Sequence, residues 1–234
     1  MSEASNSNKP AKRKICERCD RPTKVCLCDS LPSGGALKIP KALHSVVLMR
    51  HPKERSMKNA TANLAKLTFE PILIAYTREV KERERVNDAF FPIFDSPEQC
   101  ALVFPSDDAI PLESYVREHP NQLKHLYLVD ATWRFAGEMV SRSSAFDKVV
   151  KVSLAPPVDG VFLIRKTPGD VAKGMSTAEA LGWSLDCFDD FISKVEPESR
   201  KDRTKDDEND ENVNTDVEKA ASVVPIPKYA AAIR

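Results

Sequence analysis

Glycine is scarce, with seven residues in 234. No G-x-G-x-x-G follows an apolar run, so a nucleotide held on a glycine-rich first turn is not expected. The absence of G-x4-G-K-[ST] excludes P-loop chemistry. H-E-x-x-H and G-x-S-x-G are missing too, and His44, His51, His119 and His125 show no metal-like spacing. No apolar run approaches the ~18 residues needed to span a bilayer, so no membrane partner is expected. Residues 1–14 are polar and basic, without an apolar secretory segment. The expectation is an intracellular protein, cytoplasmic and/or nuclear. Net charge is absent as well, with 35 acidic and 35 basic side chains. That balance hides a split. Residues 196–234 hold ten acidic and seven basic side chains, leaving 25 acidic and 28 basic in a mildly basic body. Such a body permits RNA binding without demanding it.

Hydrophobic residues make up 41% of the chain, enough for one good core plus a small appendage. Six cysteines occur, and Cys16, Cys19, Cys26 and Cys28 fall in the pattern C-x2-C-x6-C-x-C. With no export signal, such clustering favours a metal over disulfides. Four thiolates at this spacing can close a tetrahedral structural zinc site (Zn2+), the alternative being reduced, unliganded cysteines. Bound zinc would contribute on the order of 10 kcal/mol to ordering a segment with almost no core. Arg18, Arg21 and Lys24 would give this knuckle a basic surface.

The organisation reads as a disordered leader at 1–14, a zinc knuckle at 15–35 and an α/β domain at 36–195. An acidic disordered linker follows at 196–222, then a short apolar tail at 223–234. Within the domain, short apolar runs at 45–49, 72–76, 99–104, 123–129 and 149–154 fit buried strands, and 161–164 is a candidate sixth. Helices are expected over 55–67, 111–119 and 134–142, and the charged stretch 78–87 reads as a solvated helix. Residues 176–195 carry the clearest helical pattern. Ser176-Thr177-Ala178-Glu179 forms a capping box, followed by a stripe of Leu181, Leu185, Phe188, Ile192 and Val195. Strands alternating with helices imply an α/β fold, a mostly parallel sheet with helices on both faces.

Chemistry in such a fold gathers where strands end. The ends here are residues 50–54, Pro105-Ser106, 130–133 and 165–179. Asp130-Ala131-Thr132-Trp133 is the most pointed of them. Asp130 can serve as a base or cap the next helix. Thr132 can hydrogen-bond, and Trp133 can stack on a flat ring or fill the core. The basic residues Arg50, Lys53, Arg55 and Lys58 are candidate phosphate positioners.

The ordered set Cys16-x-x-Cys19-x-Arg21-Pro22-x-x-x-Cys26-x-Cys28, His51-Pro52-x-Glu54 with Thr61, Phe104-Pro105-Ser106, Asp130-Ala131-Thr132-Trp133, and Ser176-Thr177-x-Glu179-Ala180 after Arg165 resembles the DTW-domain family. The resemblance covers roughly residues 15–195. It implies a tRNA-uridine aminocarboxypropyltransferase, moving the 3-amino-3-carboxypropyl group of S-adenosylmethionine to N3 of a uridine and releasing 5′-methylthioadenosine. It also implies a SPOUT-like fold, with the cofactor in C-terminal loops, which agrees with the missing glycine motif. Under this reading Asp130, Thr132 and Trp133 are catalytic. Ser106, Arg165, Ser176, Thr177 and Glu179 bind cofactor, and His51, Glu54 and Thr61 meet the tRNA. Two positions depart from the family's pattern: Ala60 stands where Asn is frequent, and Glu138 where a basic residue is common. The competing functions are a non-catalytic zinc-containing RNA- or protein-binding module and an S-adenosylmethionine-dependent RNA methyltransferase of related fold. Oligomeric state is not legible in the sequence.

Overall fold

The computed structural model describes residues 14–57, 61–154 and 175–188. The candidate strand at 161–164, Arg165, Lys58, the acidic linker and the apolar tail lie outside the described residues. In chain order the elements are β1 (Leu37–Lys38), β2 (Ser45–Arg50), α1 (Thr61–Thr68), β3 (Phe69–Glu70) and β4 (Leu73–Tyr76). Then come α2 (Phe91–Asp95), β5 (Cys100–Val103), β6 (Ile110–Pro111), α3 (Leu112–Glu118) and β7 (His125–Asp130). The last are α4 (Trp133–Arg142), β8 (Val150–Ser153) and α5 (Thr177–Asp186).

Six strands form one sheet in the order β4-β2-β7-β5-β8-β6, and every pairing in it is parallel. Strands β1 and β3 make a separate two-stranded parallel pair. A parallel sheet must be covered on both faces, which is why its strands read as continuous apolar runs. Side chains nevertheless alternate between the faces. Val46, Leu48, Leu126, Leu128 and Val152 join Ala62 and Ala65 of α1, Leu112 and Tyr115 of α3, and Leu181 and Leu185 of α5. Val47, Met49, Tyr127 and Leu102 join Ile93 of α2 and Met139 of α4 on the opposite face. Each fully buried aliphatic side chain contributes roughly 1.5–3 kcal/mol.

This layering positions a crevice. From β2 the chain turns to α1 on the first face, and from neighbouring β7 it turns to α4 on the second. Two adjacent parallel strands whose connections part in this way leave an opening beyond their carboxyl ends.

Three local expectations change. The helix expected over 55–67 is divided into a 3-10 turn at Pro52–Ser56 and α1 at Thr61–Thr68. The buried Arg50 guanidinium bonds the carbonyls of Glu54 and Met57, at 2.9 and 3.3 Å, which ends the turn there. The charged stretch 78–87 holds a short 3-10 turn, Glu82–Val86, instead of a helix. Its two valines do not share a buried face, Val80 being in the core and Val86 exposed, and its charges pair locally, Arg85 with Glu82 at 2.9 Å. The described part of the 176–195 helix is α5, with Leu181 and Leu185 fully buried. Among the described residues no helix is long and apolar enough to cross a membrane.

Candidate active site at the carboxyl edge of the sheet

Arg50 and Asp130 are the last residues of β2 and β7 and stand opposite one another in register. Strand alternation decides where they point. Each has the parity of the leucine two places before it, Leu48 and Leu128, so both face the α1/α5 side. Arg50 Nε lies 3.2 Å from Asp130 Oδ2, and Arg50 is only 1% exposed. Arg50 also donates to Asn63 Oδ1 of α1 at 2.8 Å. Thr177, first residue of α5, donates its hydroxyl to Asp130 Oδ1 at 2.8 Å. One carboxylate thereby ties two strand ends to the start of α5.

Two roles considered for the tetrapeptide fall away. Asp130 does not cap α4: its carboxylate faces the other side of the sheet, and the N-cap is Thr132, whose side chain makes no capping bond. Trp133 does not fill the core, because it is 48% exposed on the first turn of α4. Arg50, read from the sequence as a phosphate positioner, is buried and engaged within the protein. Sequence reasoning missed its partnership with Asp130 because charge was taken as a mark of exposure. The run of four apolar residues, Val46 to Met49, leading into Arg50 was the available signal.

The capping box at α5 is complete. Ser176 Oγ accepts from Glu179 N–H at 3.2 Å, and Glu179 Oε2 accepts from Ser176 N–H at 2.9 Å. One oxygen of Glu179 is thus occupied by the cap. Ser106 lies in the loop after β5, half-buried, near Asp108. Lys151, 2.8 Å from Asp108, holds that carboxyl below its ordinary value, while the buried Ser106 Oγ makes no hydrogen bond among the described residues. Arg165 is outside the described residues, so its place in this group is not defined.

His51 has the opposite parity to Arg50 and lies on the α4 side. Its ring stacks on Phe135, centroids 4.4 Å apart and planes within 2°. Its Nδ1 accepts from the Lys53 backbone N–H at 3.2 Å, which requires a proton-free Nδ1. Burial, then the charges of Arg78 and Lys53, hold the imidazole below its ordinary 6.5. It is therefore neutral at pH 7. Glu54 is buried in the 52–56 turn, and Thr61 opens the described part of α1, half-buried. Exposed Arg55 lies over the Tyr76 ring at 4.6 Å.

At the N-terminus the sulfurs of Cys16, Cys19, Cys26 and Cys28 all lie within 4.8 Å of one another, and none is in a disulfide. Cys16–Cys28 and Cys19–Cys26 Sγ distances are both 3.6 Å. Four sulfurs about 2.3 Å from a tetrahedral zinc would stand about 3.8 Å apart, so the cluster fits such an ion. The backbone N–H of Leu27 leads in holding the Cys19 thiol down to about 6, while burial leads in pushing the Cys28 thiol up to about 12. Asp20 adopts the left-handed conformation, φ 52°, and closes the first cysteine turn.

The DTW domain profile matches residues 13–205. The chain is 32% identical over 165 residues to tRNA-uridine aminocarboxypropyltransferase 2 of Drosophila melanogaster, covering 70% of this chain and 62% of that one. It is 28% identical to the Macaca fascicularis protein of the same name, covering 75% and 57%. It is 29% identical to tRNA-uridine aminocarboxypropyltransferase A of Arabidopsis thaliana, covering 73% and 72%. The chain thus spans about three-fifths of the length of the fly and macaque relatives. No solved structure matches it. The profile takes in both the cysteine cluster and the strand ends joined by Asp130, and this chain belongs to the DTW domain family.

Proposed function

We propose that the protein transfers the 3-amino-3-carboxypropyl group of S-adenosylmethionine to N3 of a uridine in tRNA. The observation that carries this is the junction at Asp130, where the two central strand ends and the start of α5 meet beside an exposed tryptophan. The names of the relatives supply the reaction class. In the reaction N3 attacks the methylene carbon next to the sulfonium, the carbon–sulfur bond breaks, and 5′-methylthioadenosine leaves with the electron pair. The N3 proton must go to a base or to water.

Asp130 takes or orients that proton, its carboxylate fixed by Thr177 and Arg50. Trp133 offers a plane for a base, an interaction of ~1–3 kcal/mol, and the exposed Thr132 hydroxyl positions it. The cofactor lies on the α5 side, in a SPOUT-like arrangement of C-terminal loops. Ser106, Ser176, Thr177 and Arg165 are its contacts, and the positive end of α5 faces its carboxylate. Glu179 serves chiefly to cap α5. On the RNA side His51 acts from its stack on Phe135, while Glu54 and Thr61 shape the β2–α1 connection. Cys16, Cys19, Cys26 and Cys28 would hold a structural zinc that would order the knuckle, and a chelator is then expected to unfold that segment.

The test is a double-label assay with purified protein and tRNA. Label in the methionine carboxyl of the cofactor should enter tRNA, and label in its methyl group should not. Methyl label in the RNA would make the protein a methyltransferase, and no label at all a non-catalytic binder. If Asp130→Asn folds, binds tRNA normally and keeps full transfer, the base role is wrong.

A further inference from the structure

On the α4 side the carboxyl edge opens into a cleft of about 280 Å³ lined by His51, Lys53, Arg78, Arg134, Glu138 and Arg142, among others. Its charges are lopsided. Four cations face a single acid, Glu138, which pairs with Arg142 at 3.1 Å. Among the described residues none of Lys53, Arg78 and Arg134 makes an ion pair. Like charges gathered without partners repel, so the fold gains nothing from this arrangement.

The cations come from three separate connections, yet they are held in place. Arg78 follows Thr77, whose N–H bonds the carbonyl of Arg50 at 3.1 Å. Lys53 lies over the Phe135 ring, its Nζ 4.6 Å from the centroid. Arg134 and Arg142 project from one helix, and Arg134 directly follows exposed Trp133. His51 lies against the same cations: burial first, then the charges of Arg78 and Lys53, opposes its protonation.

We propose that this cleft is a phosphate anchor: it takes one backbone phosphodiester of the RNA, next to the nucleotide whose base reaches Trp133. Guanidinium forks match phosphate oxygens bidentately, which assigns the main contacts to Arg78 and Arg134. Lys53 and Arg142 add point charge. A basic groove beside an aromatic plane is the general arrangement for single-stranded nucleic acid. The inference rests on RNA being the substrate. It moves the anchor away from Arg50, which is buried, to side chains scattered over residues 53–142.

The experiment measures tRNA binding by fluorescence anisotropy across a salt series, with full-length protein. Arg78→Gln/Arg134→Gln should weaken binding about tenfold or more, as expected for one lost charge-assisted contact. It should also flatten the log–log salt slope by roughly 1. Arg78→Lys/Arg134→Lys should recover most of the slope. Both substituted residues, Arg78 and Arg134, are exposed, so the variants should fold, and unchanged S-adenosylmethionine affinity on the same samples checks this. Lys66→Gln/Arg117→Gln removes the same charge from α1 and α3 on the opposite face and should leave binding within about twofold. Wild-type-like binding by the Arg78/Arg134 variant overturns the anchor alone, as does equal weakening by the opposite-face pair. Absence of tRNA binding by the unsubstituted protein sinks the RNA reading and the anchor with it.

Discussion

The two sides of the sheet's carboxyl edge begin one residue apart and are built in opposite ways. On the α1/α5 side Arg50 and Asp130 are buried, paired and tied to Asn63 and Thr177. On the α4 side Lys53, Arg78 and Arg134 are exposed and make no ion pair among the described residues. Strand alternation alone sends Arg50 one way and His51 the other. The closed side trades charge internally and holds the fold. The open side leaves its cations exposed, where the proposed phosphate would meet them.

That contrast can be broken most forcefully at Arg50. Arg50→Met leaves Asp130 buried without its cation, and urea denaturation should show a loss of about 3–5 kcal/mol. A loss below about 1 kcal/mol would mean the pair is not a structural link. Thr177→Val removes a hydrogen bond to a charged acceptor and should cost about 1.5–3 kcal/mol by the same measurement. It should also weaken cofactor binding. With Glu179 proposed as the cap, Glu179→Ala should cost about 1 kcal/mol and leave cofactor affinity unchanged. Loss of affinity there would return Glu179 to the cofactor site.

Smaller effects belong to the open side. Arg134→Gln should alter stability by no more than about 0.5 kcal/mol, because nothing in the fold depends on it. His51 supplies a pH signature. Its folded value lies below 6.5 while the unfolded chain titrates near 6.5, so unfolding takes up a proton as pH falls. Its contribution is full above 6.5 and is lost below it. His51→Asn should flatten the acid side of the stability profile, with the remaining slope carried in part by His125, which burial also lowers.

Much of this architecture was legible in the sequence. The apolar runs at 45–49 and 123–129 became β2 and β7, and the capping box became the start of α5. The four-cysteine spacing became a cluster of four sulfurs. Asp130 stood out because a polar tetrapeptide follows a buried strand. What stayed hidden is long-range. Arg50 meets Asp130 only because β7 inserts between β2 and β5, an order that no local pattern encodes. The basic cleft gathers Lys53, Arg78 and Arg134 from three connections, and Arg78 was read as part of a solvated charge run. The His51–Phe135 stack likewise joins two segments through strand register.

In the proposed arrangement cofactor and RNA approach Asp130 from opposite sides of the edge. Crossed titration calorimetry, with S-adenosylmethionine and tRNA each measured against Thr177→Val and Arg78→Gln/Arg134→Gln, tests it most directly. The first variant should lose cofactor affinity and keep tRNA affinity, while the second should do the reverse. Loss of both ligands in either folded variant, or an exchange of the two losses, would contradict it.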